Sequence, residues 1–122
     1  VQYAHARICS MFRQAAERPG EVSQPAMGPD LRVLNDPYEL ELMWKLAEFP
    51  QEVRLAASRR EPHRMTHYLQ QLAAAFHGFY NHCRVIGEEP RVEAARLALV
   101  DATRIVLARG LDLIGVSAPE TM

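Results

Sequence analysis

Two tyrosine–arginine pairs are the residues best suited to chemistry in this chain. Tyr3 and Arg7 stand four positions apart, and so do Tyr80 and Arg84. On a helix that spacing puts both side chains on one face. A phenol ring stacks on a base, and a guanidinium pairs with a phosphate or a base edge. The first pair continues into a polar face through Ser10 and Gln14. The same residues also suit a plainer role. Tyr3 and Arg7 fit the solvated flank of an amphipathic helix. Tyr80 fits a core edge, and Arg84 fits a helix end where a cation complements the dipole. From the residues alone both readings stand.

Other candidates are weaker. His63 and His67 are spaced i, i+4, as are His5 and Cys9. Either spacing can ligate a metal. Neither pair carries the glutamate of an H-E-x-x-H helix or a clear third ligand, so no metal site is expected. No P-loop, nucleophile elbow or glycine-rich loop after a strand is present. No catalytic residue is expected. Cys9 and Cys83 form no C-x-x-C motif and are expected to be reduced, buried thiols.

The elements that must position these residues are helices. Pro37, Pro50, Pro62 and Pro90 sit where helices should begin, since proline suits a first turn whose N–H groups are unpaired anyway. Asp36 before Pro37 suits an N-cap. The pattern predicts five helices, at about 2–18, 37–48, 50–60, 62–84 and 90–109. The fourth has the clearest stripe: Met65, Tyr68, Leu69, Leu72, Ala73, Phe76, Phe79 and Cys83 follow the i, i+3, i+4 rule. On the fifth, Val92, Ala95, Leu99, Ala102 and Val106 are expected to share a buried face. Gly110 is expected to stop that helix. Trp44, among Leu40, Met43 and Ala47, is expected in the core. No run alternates long enough for a strand. Residues 18–36 read as a long surface loop. Residues 115–122 read as a tail that packs against the bundle.

A chain of 122 residues is one domain by length and long enough to bury a core. The formal net charge of −1 argues against a broad nonspecific nucleic-acid binder, yet leaves room for a local patch. Of the 14 basic residues only Lys45 is lysine, which suits base and phosphate recognition or reflects codon usage in a G+C-rich genome. No stretch approaches the roughly 20 apolar residues of a membrane span. No secretory leader opens the chain, so a cytoplasmic location is expected.

Three strings are more specific than any of this. The chain opens Val1-Gln2-Tyr3-Ala4-His5-Ala6-Arg7-Ile8 and closes Gly110-Leu111-Asp112-Leu113-Ile114-Gly115-Val116-Ser117-Ala118-Pro119-Glu120-Thr121-Met122. Between them lies Asp101-Ala102-Thr103-Arg104, a D-A-x-R string. Together they resemble the C-terminal anticodon-binding, DALR-type domain of class I arginyl-tRNA synthetases, over essentially the whole chain. The resemblance implies an all-α fold, a single helical bundle of about five helices. It implies that the domain reads the anticodon loop of arginine tRNA and does no chemistry itself. The H-I-G-H and K-M-S-K type strings of the catalytic domain are absent. ATP with magnesium would serve a catalytic domain elsewhere in the same polypeptide, with no cofactor in this one.

By position, the resemblance implies that Tyr3, Arg7 and Tyr80 hold splayed bases and that Met122 closes over the anticodon pocket. Arg84 falls where some eukaryotic members carry an aromatic residue, so its contact depends on a guanidinium stacking instead. Asp101 and Arg104 are spaced i, i+3, which allows an ion pair on their own helix, but they are expected instead to tie neighbouring helices together. Two other functions remain compatible with the residues: a helical protein-interaction module, and the equivalent domain of another class I synthetase such as the cysteine enzyme. The opening Gln2-Tyr3-Ala4-His5-Ala6-Arg7 and the ending Pro119-Glu120-Thr121-Met122 favour the arginine enzyme.

Overall fold

A computed structural model of the chain describes residues 1–17 and 30–121. Residues 18–29 of the expected loop, and Met122, lie outside the described residues. The elements are α1 (Gln2–Glu17), a 3-10 turn (Leu31–Val33), α2 (Pro37–Ala47), α3 (Phe49–Ser58), α4 (Pro62–His82) and α5 (Pro90–Leu113), with no strand among the described residues. The predicted bundle is therefore observed. The count of five needs one qualification: α2 and α3 are divided only by Glu48, itself in αR conformation, so the pair also counts as one interrupted helix and the total as four.

α4 is the axis of the bundle, and α1, α2, α3 and α5 all pack against it. Its whole predicted stripe is buried, from Met65 to Cys83. Residues every third or fourth position along 21 residues give one continuous apolar face, which the other helices share.

The helix starts follow the prolines. α2 has a full capping box: the Tyr38 N–H donates to Asp36 Oδ1 at 2.9 Å, and the Asp36 N–H donates to Glu39 Oε1 at 2.9 Å. Glu39 is 1% exposed, and its other oxygen accepts from Arg96 Nε at 2.7 Å. Arg96 Nη1 also donates to the Arg84 carbonyl. α5 is thereby clamped to the start of α2 and to the segment that leaves α4.

Four expectations need correction. α5 runs through Gly110 to Leu113. Gly110 is a packing residue: a Cβ there would collide with the Leu69 side chain. The stop is Gly115, at φ +76°, where the Val116 N–H reaches Leu111 O at 2.9 Å and the Gly115 N–H reaches Asp112 O at 3.0 Å. The buried face of α5 is rotated from the predicted one. Ala95 and Leu99 are on it and Val106 packs against its edge partly buried, but Val100, Thr103, Leu107 and Leu111 take the place of Val92 and Ala102, because α1, α2 and α4 all press on this helix. Trp44 is 72% exposed, since the inward face of α2 is set by Glu39 and Leu42 and leaves Leu40 and Trp44 outside. Asp101 and Arg104 pair with each other at 2.8 Å, not with neighbouring helices. A pair this exposed contributes well under about 1 kcal/mol.

Candidate functional site

The amino-terminal turns of α1 lie beside the last turns of α4. This brings three predicted site residues together across 73 positions of sequence. The Arg7 guanidinium donates to the Tyr80 hydroxyl at 2.7 Å and to the Tyr3 hydroxyl. Its central carbon lies 5.0 Å from the Tyr3 ring centroid and 4.7 Å from that of Tyr80. Arg7 is thus a cation bracketed by two phenol rings.

Why the rings stay at the surface is clear from what lies beneath. Phe76 is fully buried and packs 6.0 Å from the Tyr80 ring. His77 lies between Phe76 and Tyr3, 5.7 and 6.1 Å from their rings. This layer fills the space below, leaving Tyr3 48% and Tyr80 36% exposed. Burial pushes the His77 imidazole below its ordinary pKa, and the charge of Arg7 acts in the same direction. The Tyr3 hydrogen bond pushes the pKa of Arg7 higher still.

The site keeps unused hydrogen-bonding capacity. Both hydroxyl oxygens accept from Arg7, so each O–H proton is left to donate outward. Arg7 keeps further N–H donors after serving two tyrosines. Alongside is a cavity of about 300 Å³ lined by Tyr3, Ala6, Arg7, Ser10, Arg13 and Thr121. An open, cationic, aromatic-walled cavity can take a flat base with its phosphate.

The other predicted residues fall differently. Arg84 is exposed, but its Nε donates to Ile86 O at 3.1 Å and its guanidinium lies against Gly87. It makes no hydrogen bond, ion pair or ring contact with Tyr3, Arg7 or Tyr80. Met122 lies outside the described residues, although Thr121 before it lines the cavity. Gln14 does not line it. Ser10 was visible as part of the polar face of α1. Arg13, three residues on, continues that face and was missed. Thr121 carries no residue signal of its own; the resemblance, which implies Met122 at the pocket, was the one indication that its neighbour lies close by.

No group of three His, Cys, Asp or Glu among the described residues could hold a metal ion. Both cysteines are free. Cys83 is buried as expected, whereas Cys9 is only half-buried.

Known proteins share the sequence and fold of this chain. Residues 1–122 match the family model described as the DALR anticodon binding domain. Arginine–tRNA ligase of Symbiobacterium thermophilum is 55% identical over 122 residues, covering 100% of this chain and 22% of that protein. The ligase of Carboxydothermus hydrogenoformans is 51% identical over the same length and the same shares. Among solved structures, the arginyl-tRNA synthetase of Thermus thermophilus superimposes with a TM-score of 0.84 at 38% identity, over 99% of this chain and 20% of that one. That of Plasmodium falciparum gives 0.79 at 26% identity, over 98% and 20%. The chain spans about a fifth of the length of the relatives it matches.

Proposed function

The chain belongs to the family of DALR anticodon-binding domains, and from that premise we propose that it holds the anticodon loop of an arginine tRNA as one domain of an arginine–tRNA ligase. The observation that carries this reading is Arg7 held between Tyr3 and Tyr80 at the mouth of the cavity. Stacking on a phenol ring is tolerant of base identity, which suits a tRNA set whose anticodons vary at the first and third positions. Their common central cytosine needs an edge-specific contact, and Arg7, Ser10 and Arg13 supply donors around the cavity. Arg84 contributes from the periphery, against the backbone near the loop. Met122 serves as the apolar lid that follows Thr121.

In this reading the domain performs no bond-making step. ATP and magnesium act in the catalytic domain of the same polypeptide, which is the domain's second partner. The domain fixes one end of the tRNA so that the acceptor end meets the distant active site, and occupancy of the loop site couples to catalysis through that geometry. The setting is the cytoplasm. No helix among the described residues is long and apolar enough to cross a membrane.

The test is Tyr80→Ala in the intact protein. Loss of one stacking ring should weaken arginine-tRNA binding on the order of 5- to 150-fold. In aminoacylation it should lower kcat/KM for tRNA while leaving the KM for ATP unchanged. An unaltered tRNA affinity would remove the aromatic pair from the binding site.

A further inference from the structure

The tail after α5 is held along α1 by three side chains, and all three grip main-chain carbonyls. Gln2 Nε2 donates to Ser117 O at 2.9 Å. His5 Nδ1 lies 2.9 Å from Pro119 O. Arg13 Nη1 and Nη2 donate to Glu120 O at 3.3 and 3.4 Å. A carbonyl can only accept, so the proton of that second bond sits on His5 Nδ1. His5 is 4% exposed, a buried polar ring whose Nδ1 also lies 3.9 Å from the Cys9 sulfur. Ala118 packs against the core between these attachments, and Thr121 then forms one wall of the cavity beside Tyr3 and Arg7.

We infer that His5, with Gln2 and Arg13, is a positioning residue for the RNA site, fixing the tail as a rigid wall of the cavity through its carbonyls. The inference rests on the RNA-binding reading above and adds how the site is made to hold its shape. A peptide segment this short has no fold of its own, and without anchors it would sample many positions. Three attachments, spaced over residues 117–120, set both its path and its register. Because the acceptors are backbone atoms, the register depends on the three α1 side chains, and of the tail's own side chains Ala118 adds its packing against the core. Ordering the wall before RNA arrives removes an entropic cost from binding.

The test uses the intact protein and two readouts. The first is the rate of cleavage after Glu120 by a glutamate-specific endoproteinase, which reports tail order without RNA. The second is arginine-tRNA affinity. His5→Ala and Gln2→Ala should each speed cleavage several-fold and weaken tRNA binding roughly three- to tenfold, the scale of one hydrogen bond. His5→Asn places an amide N–H near the position of Nδ1 and should restore most of both. His5→Gln, whose amide lies one carbon farther out, should not. With residues 117–122 deleted, Gln2→Ala and His5→Ala should have no further effect on affinity. Unchanged cleavage in Gln2→Ala and His5→Ala would overturn the strap. Faster cleavage with unchanged affinity, or equal losses with and without the tail, would overturn the positioning role. If the unmodified protein did not bind the tRNA at all, the positioning role would fall with the RNA reading, while the cleavage rates would still decide the strap.

Discussion

Arg96→Met should destabilise the domain by about 3 kcal/mol, at the lower end of the range for a broken buried pair. Arg96 Nε sits 2.7 Å from Glu39 Oε2, and the two side chains are 15% and 1% exposed. Methionine keeps much of the aliphatic volume and removes the charge. Glu39 would then keep one donor, the Asp36 N–H on Oε1. An uncompensated buried carboxylate costs about 3–5 kcal/mol, and the partial access of water at Arg96 favours the lower figure. The Arg84 carbonyl loses its donor too, but that residue is exposed and water replaces it. For a domain of this size about 3 kcal/mol corresponds to a drop of roughly 10–15 °C in Tm. Urea and thermal unfolding followed by circular dichroism would measure it. Glu39→Gln added to Arg96→Met should recover about 1–2 kcal/mol, because it removes the stranded charge and keeps an oxygen for the Asp36 cap. A loss below about 1 kcal/mol, or a double variant no more stable than Arg96→Met, would refute the reasoning.

Three further outcomes are expected. Gly110→Ala should cost about 1–2 kcal/mol in unfolding experiments, since the clash with Leu69 outweighs the helix propensity gained; a stabilised variant would mean that Leu69 moves aside freely. Burial first, and then the charge of Asp36, push the Cys83 thiol up to about 11 from its ordinary 9.0, so alkylation of Cys83 at pH 8 should be roughly 100-fold slower in the folded than in the unfolded chain, as read by mass spectrometry. Trp44→Ser should change stability by less than about 0.5 kcal/mol, because the ring is 72% exposed; a loss above about 2 kcal/mol would mean that Trp44 packs inward after all.

What could be read from sequence divides by the range of the interaction. The helix starts are local, and Pro37, Pro62 and Pro90 with the Asp36 cap marked them to within a residue; α3 opens at Phe49, one position before Pro50. The α4 stripe is local as well and was visible in full. The i, i+4 spacing of Tyr3 and Arg7 placed them on one face, but Tyr80 joins them only because α1 packs against α4, and before that packing was seen only the family resemblance grouped the three. Gly110 shows the limit of a local rule. A glycine near a helix end suits a stop or a close approach, and only the position of Leu69 decides. Trp44 shows another. α2 has more apolar residues than one inward face can hold, and which of them turn inward depends on α4. The strap on the tail could not be read, because its acceptors are carbonyls more than 100 residues from their donors and carry no residue signature.

The most direct measurement is binding of an arginine-tRNA anticodon stem-loop, against the same stem-loop with its central cytosine replaced by uridine, to the unmodified chain and to Tyr80→Ala at low and moderate salt. The account predicts a preference for cytosine in the unmodified chain and a loss of affinity in Tyr80→Ala on the order of 5- to 150-fold. Equal affinity for both stem-loops, falling steeply with salt and indifferent to Tyr80, would reduce the site to a phosphate contact and contradict base reading.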